Sequence, residues 1–148
     1  MENKKEAILI DGKEIAKTIK EEIKKEVADI LDKGKRPPHL VAVLVGEDGA
    51  SLSYVKSKEK QSKEVGFMSS VYRFPDTIKE EELLQTIDFL NNDTEVDGYI
   101  VQLPLPKHID SKKVLSHIDP KKDVDGFHPS NAGRMLLSLP SYLPATPF

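Results

Sequence analysis

The run Leu40-Val41-Ala42-Val43-Leu44-Val45 is apolar without interruption and closes at Gly46. A strand with one wet face alternates polar and apolar residues. An unbroken apolar strand is covered on both faces. The chain must therefore supply a layer above this strand and a layer below it. Gly46 and Gly49 make a turn, and a helical pattern follows to about residue 65. Ser51 is the expected N-cap of that helix, because its hydroxyl can accept a bond from an orphan N–H one turn in.

The flanking segments supply the layers. Residues 7–10 are a short strand candidate ending at Asp11-Gly12. Ile15, Ile19, Ile23, Val27, Ile30 and Leu31 then recur at spacings of three and four, the stripe of an amphipathic helix. Gly34 provides its left-handed cap, and Pro37-Pro38 bars its extension. Residues 68–74 read as an edge or half-buried strand. Thr77 with Glu80 forms a capping box before a helix with Leu83, Leu84, Ile87 and Leu90 on one face.

Asp97-Gly98 turns the chain into a strand over residues 99–103, stopped by Pro104 and Pro106. A short helix over 111–118, an irregular stretch over 119–129, a helix over 131–138 and a proline-rich extended tail complete the pattern. Strand and helix in alternation build right-handed βαβ units. The expected fold is α/β: one three-layer βαβ domain with a mostly parallel sheet and helices on both faces.

Composition narrows the function. A net charge of −3 gives no electrostatic basis for binding nucleic acid or an anionic membrane. The absence of cysteine excludes disulfides, thiolate nucleophiles and Cys-based metal sites. No apolar run approaches a bilayer span and the first residues contain no signal-type segment, so a cytoplasmic protein is expected. His39, His108, His117 and His128 are scattered without ligand spacing, so no metal site is expected.

Ligands of open α/β sheets bind beyond the carboxyl ends of the strands. Three stretches could reach that edge. The first is the helix after Val45, where Tyr54 and Lys58 are four apart and share a face with Ser51 nearby. The second is the end of the 99–103 strand, with Gln102 before Leu103-Pro104. The third is Lys122-Asp123-Val124-Asp125-Gly126-Phe127. Each has a plainer reading. Lys58 alternates with Lys56 and Lys60 on what could be a solvated face. Tyr54 could be a rim aromatic, and Asp123 and Asp125 could cap a turn. A Tyr-x-x-x-Lys pair also occurs in short-chain dehydrogenases, but the glycine-rich fingerprint that reading needs is missing after the first strand candidate. Ser51 and Ser53 have neither an elbow motif nor a nearby histidine to make a nucleophile.

Taken together, four motifs resemble the bifunctional methylenetetrahydrofolate dehydrogenase/cyclohydrolase family. They are Ser51-x-x-Tyr54-x-x-x-Lys58-x-Lys60, the run from Asp97 to Pro106, the run from Lys122 to Phe127, and Pro144-Ala145-Thr146-Pro147. The resemblance implies NADP-linked oxidation of 5,10-methylenetetrahydrofolate to the methenyl cation, then hydrolysis to 10-formyltetrahydrofolate, in one-carbon metabolism. By position it makes Lys58 the catalytic lysine, Gln102 its partner, Tyr54 a pterin-contacting and proton-positioning residue, and Asp125 the pterin anchor. Ser51, Leu103, Pro104 and Pro147 fall where the family lines its folate cleft.

These assignments suit the chemistry. A carboxylate can accept from the adjacent N–H and amino groups of a pterin edge. Hydrolysis needs a base for the attacking water and an acid for the departing nitrogen. One lysine can serve both if a cationic substrate helps it shed its proton, and a neutral amide partner leaves it free to do so. Ala145 stands where family members often carry cysteine. The family continues into a nucleotide-binding domain that nothing in these 148 residues resembles. The expectation is thus a folate-binding catalytic domain without its own NADP site, from a protein that is a homodimer at full length. The alternative is a folate-binding module without turnover.

Overall fold

The computed structural model describes residues 10–145. Three strands, β1 (His39–Val45), β2 (Met68–Phe74) and β3 (Gly98–Val101), form a wholly parallel sheet in the order β2-β1-β3. The apolar run is the central strand. Its side chains alternate, as the period of two requires. Val41, Val43 and Val45 pack with Leu83, Ile87 and Leu90 of α3 (Glu80–Asn92) and Val114 of α4 (Ser111–His117). Ala42 and Leu44 pack on the opposite face with Val55 of α2 (Gly49–Glu64). The three-layer α/β expectation is correct.

Several boundaries differ from the sequence reading. The N-cap of α2 is Asp48, whose carboxylate accepts the Ser51 N–H at 2.8 Å, so the helix starts two residues before Ser51. The Thr77–Glu80 box does not form. Instead α3 begins at Glu80, whose carboxylate accepts the Asp110 N–H and pairs with Lys113 of α4 at 2.6 Å. β3 stops at Val101, so Gln102 lies just past the strand, although its N–H still donates to Val43 O at 2.9 Å. The final helix, α5, covers Pro129–Leu136 rather than 131–138. It opens early because His128 Nδ1 accepts the Ser130 N–H and Pro129 fits the first turn.

The first helix, α1 (Gly12–Asp32), is capped by Asp11, and Gly34 ends it at φ +72°. Its apolar stripe is only partly used. Val27 is buried against Gly66, whereas Ile15 and Ile19 are about half exposed. The strand expected at 7–10 falls, apart from Ile10, outside the described residues. No helix among the described residues is long and apolar enough to cross a membrane.

Candidate active site

In a parallel sheet all carboxyl ends share one edge, so the ends of β1 and β3 open onto the same side. From β1 the chain enters α2, and from β3 it enters Gln102-Leu103-Pro104. Tyr54 and Lys58 are one turn apart on α2. Tyr54 is 64 % exposed. Of the three alternating lysines, Lys56 and Lys60 are exposed and Lys58 is half-buried. The plain reading of a solvated lysine face therefore fails at Lys58 alone. Its Nζ lies 4.0 Å from Asp125 Oδ2.

The Asp125 loop is built with care. Lys122 Nζ donates to the carbonyls of Leu90 and Asp93 at the end of α3, the favourable place for a cation on a helix. The next residues pair in parallel with β3 through the bridge Tyr99–Asp123, with Tyr99 N–H donating to Lys122 O. Gly98 makes that approach feasible, since a Cβ there would sit 2.3 Å from Val124 Cγ1. Gly126 is held at φ +73° with the backbone of Tyr142 to Pro144 pressed on it; an added Cβ would lie 2.8 Å from Tyr142 O. Only glycine satisfies both demands.

Asp123 and Asp125, indistinguishable in sequence, separate completely. Asp123 is 1 % exposed and its carboxylate accepts the Phe127 and His128 N–H groups and the Asn131 side-chain amide. It is the capping residue that the turn reading allowed for. Asp125 is turned out towards Lys58. Burial pushes its carboxyl above the ordinary range, Lys58 pulls it back, and Asp123 adds to the upward push.

Gln102 Nε2 donates to Leu103 O at 2.7 Å, while its Oε1 is buried without a hydrogen-bond partner. A buried carbonyl in that condition awaits a donor. Leu103 joins Leu115, Gly126, Phe127, Ala132, Met135 and Pro144 around a mostly apolar cleft of about 370 Å³ beside the Asp125 loop. The Leu103–Pro104 peptide is cis, and Pro104 itself is exposed. Ser51 is buried under the first turn of α2. Pro147 lies outside the described residues. The sequence reading missed Gly98, Gly126 and Asn131 as builders of the site. The Asp97-Gly98 pair was legible only as a turn, and its long-range role had no local signature.

The turn before α2 is a poor nucleotide cradle. Its helix N-terminus is already capped by the Asp48 carboxylate, with Glu47 beside it, so a diphosphate would meet two acidic side chains. The residues here do not fit NADP at that helix start. Among the described residues no group of three His, Cys, Asp or Glu side chains could hold a metal ion.

The chain is similar in sequence and in fold to known proteins. The family model described as tetrahydrofolate dehydrogenase/cyclohydrolase, catalytic domain, matches residues 10–125. The bifunctional protein FolD of Flavobacterium johnsoniae is 59% identical over 140 residues, covering 95% of this chain and 48% of that protein. The crystal structure of the bifunctional FolD dehydrogenase/cyclohydrolase from Campylobacter jejuni superposes with a TM-score of 0.88 at 45% identity, over 90% of this chain and 48% of that one. The Trypanosoma brucei dehydrogenase-cyclohydrolase, complexed with NADP cofactor and an inhibitor, gives 0.83 at 35% identity, over 87% and 44%. The chain spans about half the length of the curated relatives it matches.

Proposed function

Because the chain belongs to the tetrahydrofolate dehydrogenase/cyclohydrolase family, through its catalytic domain, we propose that it binds the folate and carries the acid–base chemistry of an NADP-linked enzyme. That enzyme oxidises 5,10-methylenetetrahydrofolate and hydrolyses the methenyl product to 10-formyltetrahydrofolate. The observation that carries the reading is Lys58 Nζ at 4.0 Å from Asp125 on the sheet edge where the Gln102 Oε1 has no partner.

In this reading Asp125 accepts from the two donors of the pterin edge. The ring system lies along the apolar cleft beside Leu103 and Phe127, and Tyr54, largely exposed on the face of Lys58, stacks against it. Ser51 and Pro104 complete the folate surroundings among the described residues. Lys58 takes a proton from the attacking water and returns it to the departing ring nitrogen. Gln102 Oε1 accepts from the lysine and orients it. Because the amide is neutral, it adds no charge to that of Asp125, which already faces the lysine. NADP supplies the hydride acceptor for the oxidation. The nucleotide-binding part is proposed for the other half of the full-length protein, which we take to be a cytoplasmic homodimer.

The test is methenyl hydrolysis by the full-length protein and its Lys58→Met form. Removing a general acid–base group is expected to lower the rate by about a hundredfold or more. A variant that hydrolyses at the unmodified rate overturns the assignment. Without NADP, the same protein is expected to hydrolyse the methenyl compound but not to oxidise the methylene one.

A further inference from the structure

We propose that Asp123 and Asn131 are positioning residues for folate binding, a clamp that sets the direction of the Asp125 carboxylate. The proposal rests on Asp125 being the pterin anchor and goes beyond it to what holds that anchor.

The clamp is nearly dry: Asp123 is 1 % exposed and Asn131 4 %. The Asn131 amide donates at 2.9 Å to Asp123 Oδ2 and at 2.9 Å to Pro120 O. One side chain on the first turns of α5 thus ties both the entry of the loop and its organising carboxylate. Asp123 Oδ2 also accepts the His128 N–H at 2.7 Å, and Oδ1 accepts the Phe127 N–H at 3.2 Å. The segment between Asp123 and His128 is thereby closed by the side chain of its first residue, and Asp125 sits at its tip. On the other side Asp123 is bridged to Tyr99 in β3. The loop is fixed to the sheet and to α5 through one residue, and the anchor has little freedom of its own.

The same carboxylate acts on Asp125 through space. The charged groups facing Asp125 are Lys58 from α2 and Asp123 from within the loop, and Asp123 makes ionisation of Asp125 harder. A merely structural carboxylate would affect folding alone. This one should affect folding, the pose of the anchor and the pH at which the anchor ionises.

The experiment measures kcat and KM for methenyl hydrolysis, and tetrahydrofolate affinity against pH, in the full-length protein with Asp123→Asn, Asn131→Ala and Asp125→Ala. Both clamp variants are expected to lose kcat/KM by roughly tenfold to a hundredfold, the scale of a small misplacement at a reacting centre. Most of that loss should fall in KM. Asp123→Asn alone should also move the acid limb of tetrahydrofolate binding to lower pH, because a negative charge beside Asp125 is gone. Asn131→Ala keeps that charge and should leave the limb in place. Wild-type KM in folded Asn131→Ala, whatever its thermal midpoint, overturns the proposal, and so does an unmoved acid limb in folded Asp123→Asn. If Asp123→Asn does not fold, Asn131→Ala decides alone. If Asp125→Ala itself binds tetrahydrofolate normally, the failure lies in the anchor assignment instead.

Discussion

Asp125 answers to two opposed demands. As the proposed pterin anchor it must be ionised to accept from the ring edge, yet burial holds its carboxyl above the ordinary value of 3.8, with Lys58 only partly offsetting this. A carboxyl raised on folding keeps its proton where the unfolded chain has lost it. Folded stability therefore falls as pH rises from that ordinary value through the raised one. Asp125→Asn removes the cost. Its thermal midpoint at neutral pH is expected to equal or exceed that of the unaltered protein, while tetrahydrofolate binding by calorimetry collapses. A lower midpoint with affinity intact would contradict both halves. Gly126 is the reverse case, with no chemistry and a strict steric role. Gly126→Ala at φ +73°, against backbone 2.8 Å away, should cost about 1–3 kcal/mol in urea unfolding. Residue scale is also where sequence was least informative. Lys58 stood out only beside its neighbours' exposure, and Asp123 could not be told from Asp125, because the difference between them is set by which way each carboxylate turns, Asp123 to Asn131 eight residues on and Asp125 to Lys58 far back in the chain.

Among the elements, local patterning was a good guide wherever local physics decides. β2 has the expected limits, Met68 and Phe74, and β1 begins at His39, one residue early. That extra residue is held from afar, with the His39 N–H donating to Asp97 Oδ2 and its ring bonded to Glu95 O and Ser70 Oγ. The capping box at Thr77 failed for the same reason, since Glu80 is claimed by α4. Loop-to-strand contacts were invisible to any pattern, and Gly98 shows how much hangs on one. Gly98→Val is expected to push residues 122–124 off β3, lower stability by about 1–3 kcal/mol, and weaken tetrahydrofolate binding more than an equally destabilising substitution in α3, such as Ile87→Val. Equal affinity in the two variants would show that the Asp125 loop does not depend on its seat against β3.

For the molecule as a whole, the central apolar strand correctly announced a layer on each face, but not that the layers would be unequal. On one face Leu83, Ile87 and Leu90 of α3 are fully buried with Val114 of α4; on the other, β1 packs chiefly against Val55 of α2. A fully buried Leu, Ile or Val side chain contributes about 1.5–3 kcal/mol, so α3 is held by several such contacts and α2 by few. The helix bearing Tyr54 and Lys58 thus belongs to the less firmly packed layer, and regions of that kind open at lower free energy than the core. In native-state hydrogen exchange of the free protein, the amides of α2 are expected to exchange faster than those of β1 and α3. Tetrahydrofolate should reverse this, because in the proposed site it touches Lys58 and the Asp125 loop at once and so binds only while α2 is docked. At a free concentration one hundred times Kd, linkage adds about 2.7 kcal/mol to that opening, a slowing of α2 exchange by roughly a hundredfold. If α2 in the free protein were already as protected as α3, or if saturation left its exchange rates unchanged, the folate would have to bind without engaging this helix.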